Sequence, residues 1–117
     1  MVTRVILLER DSLAVTNPHE ALSWERNGIP HFLQPHAFIP RGRKELRDQF
    51  PDVYTSLMNA GAWDVDLRAK IHASPLPSDE DLQYCGVRRP LIEWALRKAV
   101  TYERGVDVCS STNIEGI

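Results

Sequence analysis

The chain has 117 residues, with 14 Lys+Arg against 16 Asp+Glu and a formal net charge of -2. Hydrophobic residues make up 43% and charged residues 26%, values near the globular average, which exclude collagen, coiled coil and a disordered tail. The slightly acidic balance excludes a general nucleic-acid binder, and no apolar stretch reaches the roughly 18 residues of a membrane-spanning helix.

This length suits a single domain over residues 1–117. Val5 to Leu8 is a continuous aliphatic run with Val2 just ahead of it. A short run that is apolar on both faces predicts a buried strand of a parallel sheet, flanked by helices. It stops at Glu9-Arg10-Asp11, with no small-residue cleavage site, so no signal peptide is expected. Pro18, Pro30, Pro35 and Pro40 argue against a long helix before position 41. A short helix near Glu20 to Arg26, closed by Asn27-Gly28, fits between them.

From Arg41 the pattern changes. Leu46, Phe50, Val53, Tyr54, Leu57 and Met58 recur at helical steps, and Gly61 is a natural stop. Pro51 predicts either a kink or two helices, with Pro51 in the first turn of the second. Asp64 to Leu67 alternates and suits a short strand. Residues 73 to 81 read as a polar loop, and Leu82 to Val87 as another short strand. Arg88-Arg89-Pro90 then opens a helix whose apolar face is Leu91, Ile92, Ala95, Leu96, Ala99 and Val100, ended by Gly105. Alternation from Val106 to Ile114 predicts a last strand. The expected class is α/β.

Few residues carry chemistry. Glu9 ends a strand, where dinucleotide-binding units place the acid that accepts from the adenosine ribose hydroxyls. The fingerprint that should precede it, Gly-x-Gly-x-x-Gly, does not occur in these 117 residues. The six glycines are scattered, from Gly28 to Gly116. Arg88 and Arg89 stand at a strand-to-helix junction, where a forked guanidinium reaches a phosphate or a flavin edge. His31 and His36 lie five apart in a proline-rich loop, far from His19 and His72 and from both cysteines, so no metal site is expected. Cys85 and Cys109 form no C-x-x-C pair and read as ordinary thiols of a cytoplasmic protein.

Three stretches, in order, resemble the flavin-dependent monooxygenases and related FAD-dependent oxidoreductases of the aromatic hydroxylase type. Val5-Ile6-Leu7-Leu8-Glu9-Arg10-Asp11 is similar to that family's second strand with its Glu-Arg ending. Gly28 through Phe38, with the helix running to Gly61-Ala62, is similar to its flavin-side loop and first long helix. Arg88 through Arg97, followed by Gly105-Val106-Asp107-Val108, is similar to its arginine-led helix and next strand. The resemblance implies that Glu9 binds the adenosine ribose, that Arg10 lines the adenine side and that Arg89 faces the flavin. His31, Leu33 and Gln34 depart from the family's loop, and Leu33 stands where a basic residue is common.

The resemblance further implies an internal piece of a Rossmann-like FAD-binding domain without its glycine-rich first βαβ half. FAD is then the cofactor, bound weakly or not at all by this chain alone. A partner chain would supply the missing half, with no role for nucleic acid or membrane. The alternative is a non-catalytic interaction module or split-enzyme subunit, in which Trp24, Trp63 and Trp94 serve either an interface or the core.

Overall fold

The computed structural model describes residues 3–70, 74 and 76–116. Met1, Val2, His72, Ala73 and Pro75, which figure in the sequence reading, lie outside the described residues. The chain is a mixed α/β structure with two small sheets.

Strand β1 (Val5–Leu8) pairs in parallel with β5 (Val106–Cys109), Val5 opposite Val106 and Leu8 opposite Cys109. The parallel pairing is as expected, but the burial is not. Val5, Ile6, Leu7 and Leu8 are exposed by between 39% and 57%. Among the described residues, β1 has one strand neighbour, so its other edge faces solvent. The last strand is also shorter than its alternation suggested. After Cys109 the chain turns through Ser111, at φ 53, and the Ser111 and Thr112 amides donate to the Asp11 and Glu9 carbonyls. Those bonds carry the segment across the carboxyl end of β1 instead of along it.

Helix α1 (Pro18–Leu22) starts before the predicted span, where Asn17 caps it and accepts from the Glu20 amide at 3.0 Å, and ends at the Ser23 cap, short of Arg26. Strand β2 (Pro35–Phe38) lies in a region read as irregular. It is the edge of a three-stranded antiparallel sheet ordered β2, β4 (Gln83–Arg88), β3 (Trp63–Asp66). An edge tolerates Pro35, which has no amide to donate.

Pro51 divides the central helix in two. Helix α2 (Pro40–Gln49) ends at Phe50, and α3 (Pro51–Asn59) begins at once. Each has proline in its first turn, where an amide would lack a partner anyway. Gly61, at φ +101, ends α3, and Ala62 donates back to the Leu57 carbonyl at 2.9 Å. The predicted polar loop contains a 3-10 turn, Pro77–Asp81, after another at Arg68–Lys70. Helix α4 (Arg89–Tyr102) then leads through Gly105 into β5.

The core lies between the antiparallel sheet and α2, α3 and α4. Leu46, Val53, Leu57, Cys85, Val87, Leu91, Trp94 and Ala95 are all buried in it. Trp94 is therefore a core residue, Trp24 packs against the core, and Trp63 is 49% exposed. Gly86 in β4 is where the Trp63 ring lies flat, so a Cβ there would stand 2.5 Å from that ring. The Gly86→Ala variant should lose about 2 kcal/mol in denaturant unfolding, with a changed near-ultraviolet tryptophan signal.

One charge enters this core. Arg43 of α2 is buried, and its Nη2 donates to Asp64 Oδ2 at 2.6 Å and to the Tyr54 hydroxyl at 3.2 Å. Tyr54 itself donates to the same carboxylate. Arg43 holds the Asp64 carboxyl below the usual range, while burial pushes the neighbouring Cys85 thiol up to about 11. A lowered carboxyl pKa adds stability that is present above the unfolded value and lost below it. Stability should therefore fall as pH drops through 3.8, and Asp64→Asn should flatten that acid limb. The same variant should lose roughly 3 kcal/mol at neutral pH, because it leaves the buried Arg43 with only the more distant Asp81 carboxylate, 4.0 Å away.

Outside the core the molecule is open. Its radius of gyration is 17.0 Å, against about 13.4 Å for a compact domain of this length. It exposes 8444 Å² where a folded monomer of 13.3 kDa exposes about 6,450 Å², an excess of about 2,000 Å².

Candidate functional site

The carboxyl end of β1 carries Glu9, as the sequence predicts, and a cleft of about 400 Å³ opens there. Leu8, Glu9, Arg10, Gly28, Ile29 and Thr112 are among its walls. Ligands of parallel sheets collect at this edge, where loops leave the strand ends.

Arg26, which the sequence reading did not single out, organises the site. Its side chain is only 8% exposed. Its three nitrogens meet three carboxylates: Nη2 meets Glu9 Oε2 at 2.8 Å, Nε meets Asp11 Oδ2 at 3.0 Å, and Nη1 meets Glu93 Oε2 at 3.4 Å. The guanidinium also lies over the Trp24 ring, 5.3 Å from its centroid. Burial opposes its charge, but the bonds to Asp11 and Glu9 outweigh burial and raise its pKa, so it stays protonated.

Glu9 is held below its ordinary pKa chiefly by the Asp11 amide, which donates to Oε1 at 3.0 Å, with Arg26 adding to the effect against burial. It is therefore ionised at neutral pH. Each oxygen accepts one protein bond. A carboxylate has about four accepting positions, so about two remain open. That number suits a pair of vicinal hydroxyls.

Arg89 begins α4 and forks onto Glu93 Oε1, with Nε at 2.8 Å and Nη2 at 2.6 Å. Glu93 thus joins Arg89 to Arg26, and Arg26 joins Glu9. Two of the three predicted residues share one ion-pair chain, Glu9–Arg26–Glu93–Arg89. Arg10 stands apart from it. Its side chain is mostly exposed, packs over Gly28 and approaches Asp11 at 3.7 Å. The partnership of Arg89 and Glu93 was legible as an i,i+4 spacing. That of Arg26 was not, because it joins residues 17 and 67 positions apart through the fold.

The residues present fit one end of an adenine dinucleotide and not the middle. Glu9 offers the acceptors a ribose needs. No glycine-rich turn at a helix N-terminus is at hand for a pyrophosphate among the described residues, and α4 begins with Arg89 already bonded to Glu93. The predicted loop histidines do not converge: His31 sits in an exposed turn at φ 59, while His36 in β2 contacts the Gln34 carbonyl. Among the described residues no group of three His, Cys, Asp or Glu could hold a metal ion, and no helix is long and apolar enough to cross a membrane.

No protein-family model matches the chain, and no curated protein matches it significantly.

Removing the clasp has a definite cost. Arg26→Ala should lower unfolding stability by roughly 3 kcal/mol, because three partly buried carboxylates lose their common counter-charge. Arg26→Lys should recover only part of that in the same denaturant titration, since an ammonium cannot fork among three acceptors.

Proposed function

We propose that this chain is a piece of a Rossmann-like FAD-binding domain of the flavin-dependent monooxygenase type, completed by another segment before it holds cofactor. The observation that carries the reading is the parallel β1–β5 pair with the ionised, half-satisfied Glu9 at its carboxyl end. A carboxylate with free acceptors at that edge is what an adenosine ribose requires. Arg10 lines the same cleft, and Arg89 lines a separate groove with His36, Phe38 and Leu96; on this reading Arg10 would contact the adenine and Arg89 would face the flavin. Bound flavin would supply the redox chemistry, with the protein providing position and electrostatics.

The open edge of β1 favours completion by a strand. Its four aliphatic residues are exposed and, among the described residues, unpaired on that side, and the excess surface of about 2,000 Å² is larger than one partner's share of a standard interface. The same edge and surface also favour a second reading, an interaction module that associates with a partner chain without any flavin.

Flavin titration separates the two. The chain alone should leave FAD fluorescence unquenched. Co-expression with a strand–Gly-x-Gly-x-x-Gly–helix segment should give a yellow complex, and Glu9→Gln should weaken its FAD affinity about tenfold. Tight FAD binding by the chain alone would refute the need for completion. A complex that forms but takes up no FAD would leave the interaction module as the function.

A further inference from the structure

Glu93 is a wall of two grooves at once. One, of about 250 Å³, lies between β2 and α4, where Arg89, His36 and Phe38 join it. The other, of about 240 Å³, lies between the parallel strand pair and α4 and holds Arg97. Arg89 stands four residues before Glu93 and Arg97 four residues after it, on one face of α4. One carboxylate therefore has a guanidinium as helical neighbour on either side.

The carboxylate is turned one way. Glu93 Oε1 accepts from Nε and Nη2 of Arg89, at 2.8 and 2.6 Å, and Oε2 lies 3.4 Å from Arg26 Nη1. Among the described residues Glu93 makes no ion pair with Arg97, whose Nε is buried without a hydrogen-bond partner. Helix geometry favours the opposite arrangement, since an acid pairs better with a cation four residues after it than with one four residues before it. The observed grip on Arg89 is also improvable. A single oxygen serves two donors that a two-oxygen anion would engage one each. Release costs Arg26 little, because the Glu93 contact is the longest of its three, and Glu9 and Asp11 remain at 2.8 and 3.0 Å.

We infer that Glu93 is a two-position carboxylate: an oxyanion that takes Arg89 displaces it along α4 to Arg97, so that the two grooves answer to one another. An oxyanion is the ligand class because it matches the Arg89 fork and repels the like charge already there. In the observed position Arg89 is closed and the Arg97 Nε is left over. In the second position the ligand holds Arg89, and Glu93 satisfies the buried donor. The move is a rotamer change of one half-buried side chain. It needs no flavin and no partner segment, so it stands or fails apart from the reading of Glu9.

Nitrogen-15 NMR of the full, arginine-labelled chain tests the switch, with sulfate as the probe because it stays ionised through neutral pH. Arg97→Gln identifies the Arg97 Nε resonance by its loss. Sulfate should slow exchange of that Nε proton with water about tenfold, the value of one charge-assisted hydrogen bond. Arg89→Gln should give the slowed exchange without sulfate, because it frees Glu93. Exchange that stays fast in Arg89→Gln would overturn the second position. Slowing in Arg89→Gln with no response of the wild type to sulfate would refute the anion as its trigger. Slowing by sulfate that persists in Glu93→Gln would also overturn the switch, because the anion would then be reaching Arg97 directly.

Discussion

One buried guanidinium ties the two halves of this molecule together. Arg26 comes from an irregular loop, yet it meets the end of β1 through Glu9, the following turn through Asp11, and the first turns of α4 through Glu93. A cation taken out of water is costly unless it is fully paired, and three carboxylates satisfy it. The arrangement is mutual, because without Arg26 those acids would repel one another at close range. The parallel strand pair thereby acquires a fixed position against a core built from other elements.

That core is conventional for its size. Antiparallel strands and three helices enclose a cluster of aliphatic and aromatic side chains, and the Arg43–Asp64–Tyr54 group pins α2 and α3 to β3. The parallel pair is not conventional. Parallel sheets are normally covered on both faces and have more than two strands. Here all four residues of β1 are largely open to solvent. The excess surface and the large radius of gyration accompany that exposure, which extends to Leu33, Ile39 and Tyr102 elsewhere in the chain.

Glu9 and Arg97 share a logic in that setting. Each lies beside the clasp, and each keeps hydrogen-bonding capacity that the fold does not use: two acceptor positions on an ionised carboxylate, and a buried donor on a guanidinium. Unused capacity near a strand edge is costly to the isolated chain and useful to an assembly. The ion-pair chain fixes Glu9 through Arg26 and leaves Arg97 outside it.

Much of the local structure was legible from residue order. Helical spacing marked α2, α3 and α4, Pro51 marked the break between two of them, and the aliphatic run marked β1 and its parallel habit, because these signals depend on neighbours three or four positions away. Strand β2 was hidden, since Pro35 reads as a breaker until its place at a sheet edge is known. Glu9 and Arg89 could be chosen as chemical residues by type and position alone. The sequence by itself determined which segments are helical, which strand ends in an acid and that no glycine-rich phosphate loop lies within these residues. Only the tertiary structure decided that Arg26 binds Glu9, that β1 is exposed and that the Nε of Arg97 is buried without a hydrogen-bond partner among the described residues. Those depend on contacts between distant positions, and burial is a property of what surrounds a side chain, which no local pattern contains.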